Sequence, residues 1–172
     1  AKGLFAPKGH MYWADKMPSN PDLKSAIIKG IHHTAKDMLG IPVPMFGVKG
    51  IRFMAKKVRN YPAKLGKRKA SQFLGQIVRA QEEIGTGGAG FRFMYAAFLQ
   101  EAAEILELDW LNDTAEEMTQ IGDLWRSFAV ATARIVKDRS QVEDAYNQAA
   151  DILLVIADRE EQVYKDLKKI KQ

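Results

Sequence analysis

The chain has 172 residues, enough to bury one hydrophobic core, and its 47% hydrophobic and 27% charged residues are ordinary for a globular protein. No apolar run approaches the ~20 residues that span a bilayer. Cysteine is absent, which excludes disulfides, thiolate metal sites and a cysteine nucleophile together.

The net charge of +5 is unevenly spread. Residues 1–83 hold 16 Lys/Arg against 5 Asp/Glu, a balance of +11, while residues 84–172 hold 10 against 16, a balance of −6. Between Asp37 and Glu82 there is no acidic residue, but ten basic ones: Lys49, Arg52, Lys56, Lys57, Arg59, Lys64, Lys67, Arg68, Lys69 and Arg79. A field of one sign attracts an anionic partner, or the acidic half of its own fold.

Residues 1–19 mix aromatics, glycines and prolines without periodicity and read as an irregular arm. Leu4, Phe5, Met11, Tyr12 and Trp13 in it are expected to pack on this chain or on a neighbouring domain. The arm lacks the continuous apolar stretch of a signal peptide, which favours a cytoplasmic location. It also lacks an initiator Met, as a processed product or an excised part of a longer protein would.

Residues 20–172 read as a helical domain. Asn20 before Pro21 suits a helix start, and Leu23, Ile27, Ile31 and Met38 follow at helical spacing up to Gly40. The prolines of GIPVPMFG break the pattern. A second helix carries Val48, Ile51, Met54, Ala55 and Val58, and NYPAKLGKRK is expected to end it in a basic loop. Phe73, Leu74, Ile77 and Val78 mark a third helix up to Gly85, and Phe91, Tyr95, Phe98, Leu99 and Ala102 a fourth. Asp113 with Glu116 fits a capping box before a fifth, with Met118, Ile121, Trp125, Phe128, Ala129, Thr132 and Ile135 inward. Ser140 with Glu143 repeats that signal, and Tyr146, Ala149, Leu153, Ile156, Val163, Leu167 and Ile170 form the cleanest stripe in the chain. No segment alternates with period two. The expectation is an all-α, single-domain bundle of about six helices with an irregular N-terminal arm.

The glycine-rich segment EEIGTGGAGFRFMY, residues 82–95, admits two readings. Its amides, with Thr86, Gly87, Gly88 and Arg92, can cradle an anion before a helix. Alternatively, the glycines stop one helix and let the next pack closely. A phosphate loop needs Lys then Ser/Thr after the last glycine, and a dinucleotide fingerprint needs a preceding strand; neither is present. Arg92 is placed to pair with an anion, or with Glu82 or Glu83. His32 and His33 are adjacent and face different ways, His33 with Asp37 is too small a set for a metal, and Glu101, Glu104 and Glu107 lack the histidines of a di-iron bundle. No catalytic residue, metal site or cofactor is assigned.

The basic stretch offers Lys49, Arg52, Lys56, Lys57 and Arg59 for docking a partner. Nucleic acid is the competing partner, with Phe53 and Tyr61 as stacking candidates, and a solvated face paired to the acidic half is the plain reading.

FGVKGIRFMAKKV together with EEIGTGGAGFRFMYAAFLQEAAEIL resembles the C-terminal region of proteins of the butirosin biosynthesis protein H type. The resemblance runs from LKSAIIKGIHHTAKDML into the segment around Trp125. It rests on Gly85 to Gly88 with Phe91, Arg92, Met94 and Tyr95, and on Gly47 to Ile51. It implies a helical domain following a papain-like domain that moves an acyl group from an acyl carrier protein. With no Cys, this chain cannot supply that nucleophile. What the resemblance implies for it is a non-catalytic accessory role: covering or shaping the papain-like domain's active site, and docking the acidic carrier. The alternatives are a basic helical protein binding a polyanion, and a helical enzyme with an anionic ligand at the glycine loop.

Overall fold

The computed structural model describes residues 9, 11, 13–16, 22–84, 87–137 and 144–171. Their order is α1 (Leu23–Gly40), α2 (Gly47–Glu82), a short turn over Ala89–Phe91, α3 (Arg92–Leu106), α4 (Trp110–Val136) and α5 (Ala145–Leu167), and none of the described residues is in a strand. α5 packs chiefly against α2 and α4, α3 runs along α4, and α1 closes the bundle against α5 and α2. Among the described residues, no helix is long and apolar enough to cross a membrane.

The all-α expectation holds among the described residues, which form five α-helices where about six were expected. The basic loop expected at NYPAKLGKRK is helical; the second and third expected helices form one element, interrupted only at Gly66 (φ 72°, ψ 162°). Ala, Lys, Leu and Arg are strong helix formers and carry the chain on both sides of that interruption, past the lost amide donor of Pro62.

The helix starts differ in detail. Asp22, not Asn20, caps α1: its side chain accepts from the Ser25 amide at 3.0 Å. Asn20 and Pro21 lie outside the described residues, as does the Ser140–Glu143 box. α4 begins at Trp110, a turn before the Asp113 box, with no side-chain cap bond. Met11 and Trp13 are exposed and do not pack on the bundle, and the Trp13 indole N–H instead reaches Asp15 at 2.6 Å. Leu4, Phe5 and Tyr12 lie outside the described residues.

The core is the one the periodicity marks. Ile27 and Ile31 of α1, Val48, Ile51, Ala55 and Val58 of α2, Leu99 and Ala102 of α3, Met118 to Thr132 of α4 and Leu153 to Leu167 of α5 contribute buried side chains to it. Three of the apolar residues that marked the expected helix faces are exposed instead, Leu23, Phe73 and Phe91. The Gly-Val-Lys-Gly-Ile string has a packing reason. A Cβ on Gly50 would stand 2.5 Å from the Met45 carbonyl oxygen, so the turn after α1 folds onto α2 only over a glycine.

Candidate functional site

The glycine segment joins α2 to α3, and its charged neighbours point into the protein. Ala89, Gly90 and Phe91 have φ of 50°, 53° and 70°. Three consecutive left-handed residues, two of them with side chains, cost ~1–2 kcal/mol per non-glycine position. The structure holds them there from several sides. Glu82, the last residue of α2, accepts from the Ala89 amide (3.2 Å) and from the Gln81 side chain (2.7 Å). Gln81 in turn donates to the Trp125 carbonyl of α4 at 2.8 Å. Arg92 reaches back to the Gly90 carbonyl at 2.7 Å. Gly88 (φ 86°) lies where a Cβ would press on Glu82 at 3.2 Å and on the Arg126 guanidinium at 3.3 Å.

The anchor of this arrangement is Glu160 of α5. Its side chain is 0% exposed and accepts two bonds from Arg92, at 2.8 and 3.0 Å, and one from the Trp125 indole N–H at 2.9 Å. The Arg92 guanidinium also lies over the Trp125 ring, 4.9 Å from its centre. Burial pulls the Arg92 pKa down, but the charge and hydrogen bonds of Glu160 outweigh this and hold it above its ordinary value. Tyr95 and Tyr164 are pushed up by burial, with the Glu160 charge adding to the effect at Tyr164. Neither tyrosine is poised as a base near neutral pH.

The sequence-derived site residues are thus distributed. Gly87 is exposed, Gly88 is buried beneath Glu82, and Thr86 lies outside the described residues. Arg92 pairs with Glu160 rather than with Glu82 or Glu83; Glu82 holds the loop, and Glu83 sits 3.7 Å from Arg79. Sequence reasoning misses Glu160, although its place four positions after Ile156 on the apolar stripe, where a solvated carboxylate does not belong, is a signal that marks it. Facing outward around the same loop are large apolar side chains: Ile84 (59% exposed), Phe91 (52%) and Met94 (60%).

On α2 the basic residues divide into two groups. Arg52 bonds Asp158 (2.7 Å) and Glu161 (2.5 Å) of α5, and Arg59 bonds Asp151 of the same helix. Lys49, Lys56 and Lys57 are exposed and make no ion pair among the described residues. Lys57 lies 5.0 Å above the half-buried Phe53 ring, and Tyr61 packs 5.9 Å from Phe73, so neither ring is open for base stacking on both faces. Glu101, Glu104 and Glu107 are exposed, and Glu107 bonds Lys24 at 2.9 Å. His33 lies 3.5 Å from Asp37, and His32 meets the Ile170 carbonyl at 2.8 Å. Among the described residues, no three His, Asp or Glu side chains come together to hold a metal ion.

Residues 1–167 match the family described as "Domain of unknown function (DUF4872)", and the chain belongs to that family. No curated protein and no solved structure matches it.

Proposed function

We propose that the chain is a non-catalytic helical accessory domain that seats its glycine-loop face on a catalytic partner domain of the butirosin H type, covering or shaping that partner's active site. The observation that carries the reading is the loop itself. It keeps Ala89 and Phe91 in a costly left-handed conformation while Ile84, Phe91 and Met94 lie exposed around it. Strain of this kind persists where the shape of a surface matters, and grouped exposed apolar side chains mark interaction sites. The charges behind the loop are satisfied by one another, which favours a scaffold over a small-anion site. A nucleophile would come from the partner domain, since this chain has no cysteine. An acidic carrier protein delivering the acyl group belongs to the same reading.

The test is Phe91→Ser combined with Met94→Ser in the longer protein that carries the domain. Acyl transfer should fall about tenfold or more, the effect of losing ~1.4 kcal/mol at a contact, while the helicity of the domain is kept. Full activity in the doubly substituted protein contradicts the reading.

A further inference from the structure

The helical wheel of α2 sorts its basic residues by direction. Val48, Ile51, Ala55 and Val58 are buried and set the inward face. At ~100° per residue, Lys49, Phe53, Lys56, Lys57, Asn60 and Lys64 fall in one stripe opposite that face, while Arg52 and Arg59 fall on the flank towards α5. No acidic residue interrupts the stripe, because α2 has none before Glu82. Phe53, Lys56, Lys57, Asn60 and Lys64 line an open groove of 230 Å³. Its three lysines, and Lys49 on the same stripe, make no ion pair among the described residues, whereas the neighbouring carboxylates Asp151, Asp158 and Glu161 are engaged by Arg59 and Arg52.

We infer that the outward face of α2 from Lys49 to Lys64 is a docking site for an acidic α-helix of a partner protein, with carboxylates at heptad spacing around an apolar residue. The spacing favours a helix over other polyanions. Lys49 and Lys56, like Lys57 and Lys64, are seven residues apart, a rise of ~10.5 Å, which is also the distance between residues seven apart on a facing helix. Duplex DNA presents a charge every ~1.7 Å and rewards the number of cations rather than their period. Phe53, half-buried under Lys57, offers an apolar floor for one side chain between the charges rather than a free stacking face. The chain's own N-terminal segment cannot supply the carboxylates, since Asp15 and Asp22 are its only acidic residues before Asp37.

This inference deepens the accessory-domain reading by naming the surface and chemistry of its acidic partner, and it rests on that reading for its setting. The experiment reads α2 alone, whereas the Phe91 and Met94 substitutions read the loop alone, so the two can fail separately. The full chain is titrated by fluorescence anisotropy with three probes. These are a helical peptide of about 18 residues with Glu at heptad spacing around Leu, a scrambled peptide of the same composition, and a duplex DNA of about 20 base pairs. The patterned peptide should bind at least about tenfold more tightly than either control, and Lys56→Glu with Lys57→Glu should remove that advantage without changing the circular dichroism. Arg52→Ala, on the flank, should change binding by less than about twofold. Equal binding of the three probes, or indifference to the lysine reversals, overturns the inference. So does self-association of the chain that those reversals abolish, which would give the face to a second copy.

Discussion

Arg92 and Lys56 carry the same charge in opposite settings. Arg92 is 20% exposed at its side chain and bound by both oxygens of a fully buried carboxylate; Lys56 stands in solvent and makes no ion pair among the described residues. The glycine loop therefore turns its charge inward and its apolar side chains outward, while α2 buries apolar side chains and leaves its lysines outside. A planar guanidinium suits the first task, since it can bond both carboxylate oxygens and stack on Trp125 at once. The flexible ammonium groups of the stripe suit a contact whose partner sets the final geometry.

The largest expected effect breaks the inward half of this contrast. Glu160→Ala leaves the Arg92 charge buried without its partner and should cost ~3–5 kcal/mol in urea unfolding. Arg92→Met combined with Glu160→Leu should recover much of that loss, because the pair is costly to halve rather than strongly stabilising as a whole. If Glu160→Ala is nearly neutral, the loop is not anchored through α5.

Next in size are the glycines. Gly122→Ala places a Cβ 2.7 Å from the Phe93 ring, an overpacking worth ~1–3 kcal/mol. Gly88→Ala, at a backbone conformation reserved for glycine, should cost a similar ~1–3 kcal/mol. Sulfate should not raise the melting temperature of the wild type specifically, because Glu82 already occupies the Ala89 amide. A sulfate-dependent rise that Gly88→Ala removes would restore the anion-cradle reading.

The helices were legible because apolar residues recur with the helical period, and the stripe from Met118 to Thr132 is buried as the spacing requires. What escaped was anything decided by contacts far apart in sequence. Phe91 continues the apolar pattern of α3, yet the left-handed turn before it rotates that side chain outward. The continuation of α2 through Pro62 was hidden because a proline followed four residues later by a glycine reads as a stop, whereas Val58 on one side and Leu74 on the other are both held by the core. For the site, the residue types Gly88 and Arg92 were visible, but no local pattern pairs Arg92 with a residue 68 positions away.

Smaller effects sharpen the outward half. Phe91→Gly relieves the left-handed strain and should stabilise the isolated chain by ~0.5–1 kcal/mol, measured by thermal unfolding. On the accessory-domain proposal the same change should lower the activity of a protein that joins this chain to a catalytic domain, the usual trade between stability and a functional surface. Smallest is the acid response of the flank. Lys165 and Arg52 hold the Glu161 carboxyl below its ordinary range, so its contribution is present above that range and is lost as pH falls through the lowered value. Arg52→Ala should flatten that part of the acid unfolding curve, whereas Lys56→Ala should leave it unchanged.

The contrast between the two regions is tested most directly by hydrogen exchange on the chain alone and on the chain joined to a catalytic domain of the proposed kind. The accessory-domain account predicts slower exchange over residues 87–95 on joining, with residues 49–64 unchanged because that face awaits a different partner. Slower exchange over 49–64 with no change at 87–95 would contradict it.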